Sequence, residues 1–517
     1  MHVLSNTLLF PALIALLATV LAIPAAWAIR SAGGSSGVIA GGGRGVGPTW
    51  SLWFTLVASP LLLPNYLAYA GWGLLRAPRT PLGDWLAHQP EWTIVAFNKA
   101  LAVAGLSLWA WPIAAMALAP GVSRLSQDVL DSLALDSVSR PARSLGLVRL
   151  ITRPLTFAFG CVFLVMLGSV VPLHLAQIET AATDSWRRLS LSAGMGPALA
   201  AAWPVLLVAC GAALLITRTI VRERSIDEPD AGVPARSARA APILAAAIWA
   251  LSIPAPLALF LYYVRPPGSA VGWLEALRQQ SHAFWRDSGG AVVQSLAIAG
   301  SVGALAAVVA FGTWAACSLG DQGPAARLAR GAATLLTLVL FFVGLSPGVL
   351  LGAALAHLTT RAPLWLADSS APLIAAHLLR FGFVAALLGA LAAVLEPRAQ
   401  RDLRRLDRAT GLRGWVTAAM LPRLPLVGAG AIVVALLSFH EIESTIFLLN
   451  PGAQSLSQQL LEQLHFARDQ RLAAAAANLL VIGLALSMLA AVLLARSFRP
   501  GAPPSIGRGS AIPDQKQ

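Results

Sequence analysis

Two stretches decide the architecture: SPLLLPNYLAYAGWGLL, from Ser59 to Leu75, and VGLSPGVLLGAALAHL, from Val343 to Leu358. Each is an apolar run interrupted by a Leu-Pro or Ser-Pro step, then Asn65 in the first and Gly348 in the second, after which hydrophobic sequence resumes. Proline lacks an N–H and clashes with the preceding turn, so Pro64 and Pro347 predict breaks halfway along their helices. A break frees backbone carbonyls that lipid cannot satisfy, so it must meet protein or line a cavity. Similar broken helices at corresponding points of one chain predict a duplicated membrane bundle with a path between its halves.

Working outward, composition agrees. The 517 residues are 57% hydrophobic and 12% charged, with mean hydropathy +0.71, whereas soluble domains carry about 25% charged residues. So much apolar surface requires lipid cover. Cys161, Cys210 and Cys317 lie inside apolar runs, which fits neither a disulfide framework nor a metal site. The net charge of +14 comes mostly from arginines in short loops, a pattern of membrane topology rather than of nucleic-acid binding. Only Lys99 and Lys516 are lysines, and neither stands in a phosphate-binding Gly-Lys-Ser/Thr loop, so any nucleotide must be bound by another chain.

The predicted fold is all-α, a polytopic bundle of about eleven spans long enough to cross a ~30 Å hydrocarbon core. They fall near 5–29, 50–75, 93–119, 152–176, 197–217, 240–264, 291–317, 331–358, 371–395, 422–449 and 471–495. Residues 1–220 read as a first half of five spans and 240–497 as a second half of six, the extra one being 240–264. The polar segment 221–239 reads as a cytoplasmic linker, and 498–517 as a disordered cytoplasmic tail. Connectors 30–49, 120–151, 218–239, 318–330, 396–421 and the tail hold most of the 37 basic residues. The positive-inside rule therefore puts the N-terminus outside and the C-terminus in the cytoplasm. Ala26-Trp27-Ala28 resembles a signal-peptide cleavage site, but residues 1–10 lack a basic region. The first span, NTLLFPALIALLATVLAIPAAW, also echoes QSLAIAGSVGALAAVVAFGTWAA in the second half, which favours its retention.

Two cytoplasmic loops stand out by length and charge. One runs from Pro120 to Leu155 and ends in Arg-Pro-Leu; the other runs from Glu396 to Gly430 through a Leu-Pro at Pro422. Laid together without gaps, Asp136 matches Asp407 and Pro154 matches Pro425. The second is followed by SFHEIESTIFLLNPGAQSLSQQLLEQLHF, Ser438 to Phe466. In these features the chain resembles the permease subunits of ABC importers, in particular the fused, two-halved ferric iron type. The loops resemble that family's EAA loop, and Ser438, Phe439, Glu441, Thr445, Ile446, Phe447 and Leu448 stand in the order of its Ser-Phe-x-Glu-x-x-x-Thr-Ile-Phe-Leu stretch. Arg405-Leu406-Asp407 replaces Glu-Ala-Ala, with Ala409 and Gly411 near the family pattern, and the first loop offers only Asp136 and Gly146.

The resemblance implies a type I importer permease-like fold and no catalysis by this chain. It implies two copies of a separate ABC ATPase bound at Asp136, Gly146, Asp407, Ala409, Gly411 and Pro422, and a solute-binding protein on the outer face. Iron(III) leads as cargo, with thiamine, polyamine and phosphonate-type solutes as alternatives. No cofactor is implied.

Charged residues inside spans face a cavity or a partner. Lys99 and Arg380 stand at similar depth in spans preceding the two long loops, near the outer side, where snorkelling to the interface is the plain reading. His440, Glu441 and Glu443 cluster in one span, with 440 and 443 three apart and so on one helical face. They are candidates for contact with a cationic or metal-loaded solute or for pairing with Arg380, but one His and two carboxylates on one segment are not a strong metal site. The candidate pathway is thus Pro64, Asn65, Pro347, Gly348, Arg380, His440, Glu441 and Glu443. His174, His357 and His377 read as packing residues, and Trp50, Trp53, Trp72, Trp85, Trp92, Trp273 and Trp285 as interfacial aromatics. An ion-coupled secondary transporter is the alternative reading. A membrane-embedded enzyme would need a catalytic constellation that the spans do not show.

Overall fold

The computed structural model describes residues 2–34, 48–77, 80–123, 125–137, 139–191, 194–222, 240–265, 270–318, 323–394, 416, 420–448, 455–466 and 469–497. Among these every regular element is helical. The first part holds α1 (His2–Gly34), α2 (Pro48–Ala58), α3 (Asn65–Gly73), α4 (Pro81–Ala87), α5 (Glu91–Ser123), α6 (Gln127–Asp136) and α7 (Arg140–Leu150). It continues with α8 (Thr152–Leu167), α9 (Val171–Leu175), α10 (Ala181–Ser190) and α11 (Met195–Arg222). Then come α12 (Ala240–Ser252), α13 (Pro254–Val264), α14 (Trp273–Ser318), α15 (Pro324–Leu345), α16 (Gly348–Thr359), α17 (Leu364–Ala367) and α18 (Ala371–Val394). The last are α19 (Leu424–Phe439), α20 (Leu456–His465) and α21 (Asp469–Ser497). Among the described residues nine helices are long and apolar enough to cross a membrane, or eleven when each of two bent pairs counts as one span. The chain is a multi-pass, all-α membrane protein. Residues 223–239 and 498–517, read above as linker and tail, lie outside the described residues.

Helices meant for water carry their start signals in the sequence. Ser126 caps α6 by accepting the Val129 N–H, and Ser139 caps α7 by accepting from Ala142. Thr180 and Thr183 form a reciprocal box at the start of α10, and Ser455 caps α20. On α10, burial alone would raise the Asp184 carboxyl, but its bonds to Arg188 and Arg187 outweigh that and hold it below the usual carboxylate range.

The helices pack twice in one pattern. In the first half α1 lies along α5 and α8, which also touch each other; in the second, α14 lies along α18 and α19, which touch likewise. The halves then exchange support. Helix α11 leans on α15 of the second half, while α21 leans on α2 and the short 3-10 turn Ser59–Leu62 of the first. The extra span, α12–α13, sits between α1, α3 and α21. It is pinned by indole N–H bonds from Trp111 to the Ser252 hydroxyl at 2.7 Å and from Trp249 to that of Ser59 at 2.8 Å.

Two expected boundaries move. Residues 265–290 read as a connector, yet helix begins at Trp273 and runs unbroken for 46 residues, about 69 Å. Its polar start is an amphipathic helix that a hydropathy reading hides. Asn478 of α21 holds it by accepting the Trp285 indole N–H at 3.0 Å and donating to the Ser281 hydroxyl at 3.1 Å. Conversely, span 422–449 stops being helix at Phe439, and beyond it the Glu441 carboxylate accepts the Ser444 N–H that the His440 carbonyl would take in a helix.

Close approach of α14 and α18 depends on Gly389: a Cβ there would stand 2.3 Å from the Ala310 carbonyl oxygen. Gly389→Leu is expected to cost about 1–3 kcal/mol and to lower the melting temperature in detergent. Gly312→Ala, at a position with open space around it, is expected to leave it at or slightly above the wild-type value.

Candidate functional site where the helix breaks meet

In the first half the chain bends by 77° between Leu52–Leu62 and Asn65–Arg76. Leu63 and Pro64 are extended there, because proline disfavours helix for the residue before it. The Leu63 carbonyl, left without a helical partner, accepts the Trp109 indole N–H at 2.8 Å. In the second half α15 ends at Leu345, Ser346 and Pro347 are extended, and α16 starts at Gly348. The Ser346 carbonyl accepts from Arg380 Nη1, which also donates to the Gly344 carbonyl at 3.2 Å.

Trp109 and Arg380 are equivalent in the gapless match that pairs Asp136 with Asp407, each standing 27 residues before its aspartate. Each serves the carbonyl just before its half's proline, so Trp109 takes the place of Arg380 in the first half. Lys99, paired with Arg380 in the sequence, lies further toward the N-terminal end of α5, half-exposed.

A second pair of breaks abuts the first pair. Helix α8 ends at Leu167 and gives way to Gly168-Ser169-Val170; helix α19 ends at Phe439 and gives way to turns through Leu448. Gly168 lies on the Leu345 carbonyl, where a Cβ would come within 2.9 Å. Across the molecule His440 lies against the Leu62 backbone. Each half's later break therefore rests on the other half's proline break.

Glu443 joins these pieces. Its Oε1 accepts the N–H groups of Val170 at 2.6 Å and Val171 at 3.3 Å, both in the first half. Its Oε2 pairs with Arg380 Nη2 at 3.2 Å, the two side chains being 8% and 12% exposed. Glu441 instead turns to its own segment, accepting the Ser444 N–H at 2.9 Å and its hydroxyl at 3.1 Å. Gly348 lies on both carboxylates, since a Cβ there would stand 2.9 Å from Glu443 Cβ and 3.2 Å from Glu441 Oε1. On α18, His377 spans the end of α19, with Nδ1 at 2.8 Å from the Ser438 hydroxyl and Nε2 at 2.9 Å from that of Thr445. The Thr445 hydroxyl donates to the Glu441 carbonyl at 3.1 Å, which makes Nε2 the donor to Thr445.

Of the expected pathway residues, Pro64, Asn65, Pro347 and Gly348 flank the two proline breaks, and Arg380 and Glu443 meet. His440 and Glu443 do not share a helical face, because the segment is turns rather than helix. Asp136 ends α6 and Gly146 sits within α7, while Pro422 is exposed in the 3-10 turn Leu421–Arg423. Asp407, Ala409 and Gly411 lie outside the described residues. Trp109 and the Val170 and Val171 amides enter the site without having been singled out from the sequence, and His377, read there as a packing residue, joins them through its bonds to Ser438 and Thr445. Only the equal spacing of Trp109 and Arg380 from the matched Asp136 and Asp407 could have pointed to the first. Among the described residues no three metal-ligating side chains gather. No family model, curated protein or solved structure matches the chain.

Arg380→Met removes the cation beside a buried carboxylate, and its expected cost is about 3–5 kcal/mol, read as a lower melting temperature in detergent. Adding Glu443→Gln to Arg380→Met is expected to recover most of that loss. The amide is neutral, and its oxygen still accepts from Val170. A double-mutant cycle gives the coupling.

Proposed function

We propose that this chain is the permease of an ATP-driven ABC importer, both membrane halves being carried in one polypeptide. It provides the path for a small solute handed over by an extracytoplasmic binding protein, and two copies of a separate ATPase drive it. The membrane in this reading is the bacterial inner membrane, with the N-terminus outside. Iron(III) is the cargo we favour, on the resemblance of the 438–466 stretch.

The observation that carries the reading is the α6–α7 hairpin. It stands between α5 and α8, where the first coupling loop was expected, and bends into α8 by 66° between Pro141–Leu150 and Thr152–Leu167. Its helices close on each other through Gly146, where a Cβ would be 2.5 Å from Leu133 Cδ1. No residue of α6 is buried, and Leu135 is 86% and Leu145 54% exposed. Exposed leucines on a rigid, capped hairpin suit docking to another protein. The exchanged support of α11 and α21 suits two halves that rock about a common axis.

An ion-coupled carrier would need a carboxylate free to take up and release its ion. Glu443 is committed to Arg380 and two amides, and Glu441 to Ser444.

The test is purification of the tagged chain from its native membranes, with vanadate-sensitive ATP hydrolysis measured in the eluate. Wild-type protein is expected to bring hydrolysis with it. Leu135→Asp and Leu145→Asp, both at exposed positions, are expected to reduce it at least about tenfold, the effect of some 1.4 kcal/mol of lost docking. A wild-type eluate without hydrolysis, or variants that keep all of it, would remove the ATPase from the reading.

A further inference from the structure

Every polar contact between Glu443 and the first half is made to backbone, and that backbone belongs to a helix break. The carboxylate bonds Val170 and Val171, which follow the end of α8. Arg380 orients it from the second half while also holding the Gly344 and Ser346 carbonyls. One guanidinium and one carboxylate thus fasten three breaks at once: 168–171, 344–347 and 440–448. The surroundings are closed by the protein itself. Val170, Val171, Ser169, Ser346, Glu443 and Ser444 are all buried.

The opposite crossing is built differently. Trp109 offers the Leu63 carbonyl a single neutral N–H, and the first-half segment Gly168–Leu175 contains no acid. The charged fastening therefore exists on one side only of an otherwise paired arrangement.

We infer that Arg380 and Glu443 form a latch between the two halves, shut in the conformation described here, which must release the Val170 and Val171 amides before the centre of the bundle can open to water. The inference rests on the proposed movement of the halves against each other, but not on the ATPase or the cargo. Arg380 acts as a positioning residue, and Glu443 is the part that crosses.

Ser169 reports on the latch. It adjoins Val170, is 4% exposed, and its hydroxyl has no hydrogen-bond partner among the described residues, so Ser169→Cys changes size little and removes none of the bonds described. With Cys161, Cys210 and Cys317 replaced by alanine, the full chain carrying Ser169→Cys is placed in lipid nanodiscs. It is then labelled with a charged, water-soluble methanethiosulfonate. Protein with the latch intact is expected to label slowly. Glu443→Gln, which leaves Arg380 without its counter-charge, and Arg380→Lys, which keeps the charge but loses the planar fork, are each expected to label at least about tenfold faster, as a shift of the closed–open population requires.

The swapped pair Arg380→Glu with Glu443→Arg is also expected to label fast, because an arginine at 443 cannot accept the two amide bonds. Exposed Ser190→Cys is the control, and its rate is expected to be the same in every background. Wild-type rates in both single variants would overturn the latch. Protection restored by the swap would reduce it to a plain ion pair and overturn the role given to the amides. Either outcome leaves the ATPase reading standing, and loss of the ATPase reading leaves these rates unaffected.

Discussion

A helix broken inside a membrane must find new partners for the backbone groups it frees, because lipid offers none and each unmet group costs several kcal/mol. This chain breaks four helices near its centre, and the rest of the site follows from how the freed groups are met. Each half's later break is laid on the other half's proline break, so neither half can complete its own centre. Side chains then supply what backbone cannot: Trp109 for the Leu63 carbonyl, Arg380 for those of Gly344 and Ser346, and Glu443 for the amides of Val170 and Val171. Glycine makes the close approach possible at Gly168 and Gly348, where any side chain would strike a carbonyl or a carboxylate.

The two solutions differ in kind. An indole N–H meets one carbonyl with no charge to bury, and its ring adds apolar surface to the core around α1, α5 and α8. A guanidinium meets several acceptors from one plane, but its charge has to be matched, and Glu443 does this. Well-packed apolar groups can equal or exceed a buried ion pair in net stability. Stability alone therefore does not account for the charged version, while a contact strong when made and costly when half broken suits two discrete states.

Local chemistry made part of this legible in the sequence. Proline acts on its own turn, so Pro64 and Pro347 announced the breaks. The multi-pass helical class followed from apolar run length alone. Contacts that depend on distant chain did not show. Glu443 bonds amides some 270 positions away, and an amide leaves no mark in a sequence. Trp109 and Arg380 share a target but no chemistry, so a search for matching charges selected Lys99 instead. The turns after Phe439 were hidden because SFHEIESTIF is apolar enough to extend a span, and the competing bond from the Ser444 N–H to the Glu441 carboxylate leaves no mark in hydropathy.

The placement of the hairpin ties these pieces into one mechanical argument. Helix α5 carries Trp109 and runs directly into α6–α7, which runs directly into α8, whose far end is the break that Glu443 holds. Gly121 and Pro154 lock α5 and α8 together at the hairpin end, since a Cβ on Gly121 would stand 2.3 Å from the proline ring. The sixteen residues of α8 make a strut of about 24 Å. A displacement at the hairpin would run along α5 to the Leu63 carbonyl contact and along α8 to the Val170 amide. In the second half α18 and α19 bracket the other long loop in the same way, with Arg380 on one and the 440–448 turns beyond the other. In each half the helix that follows the long loop in the chain, α8 or α19, ends at one of the breaks. A push applied to both would load the contacts around Glu443 from two directions, and the weakest element in that path is the one held by side chains rather than by helix.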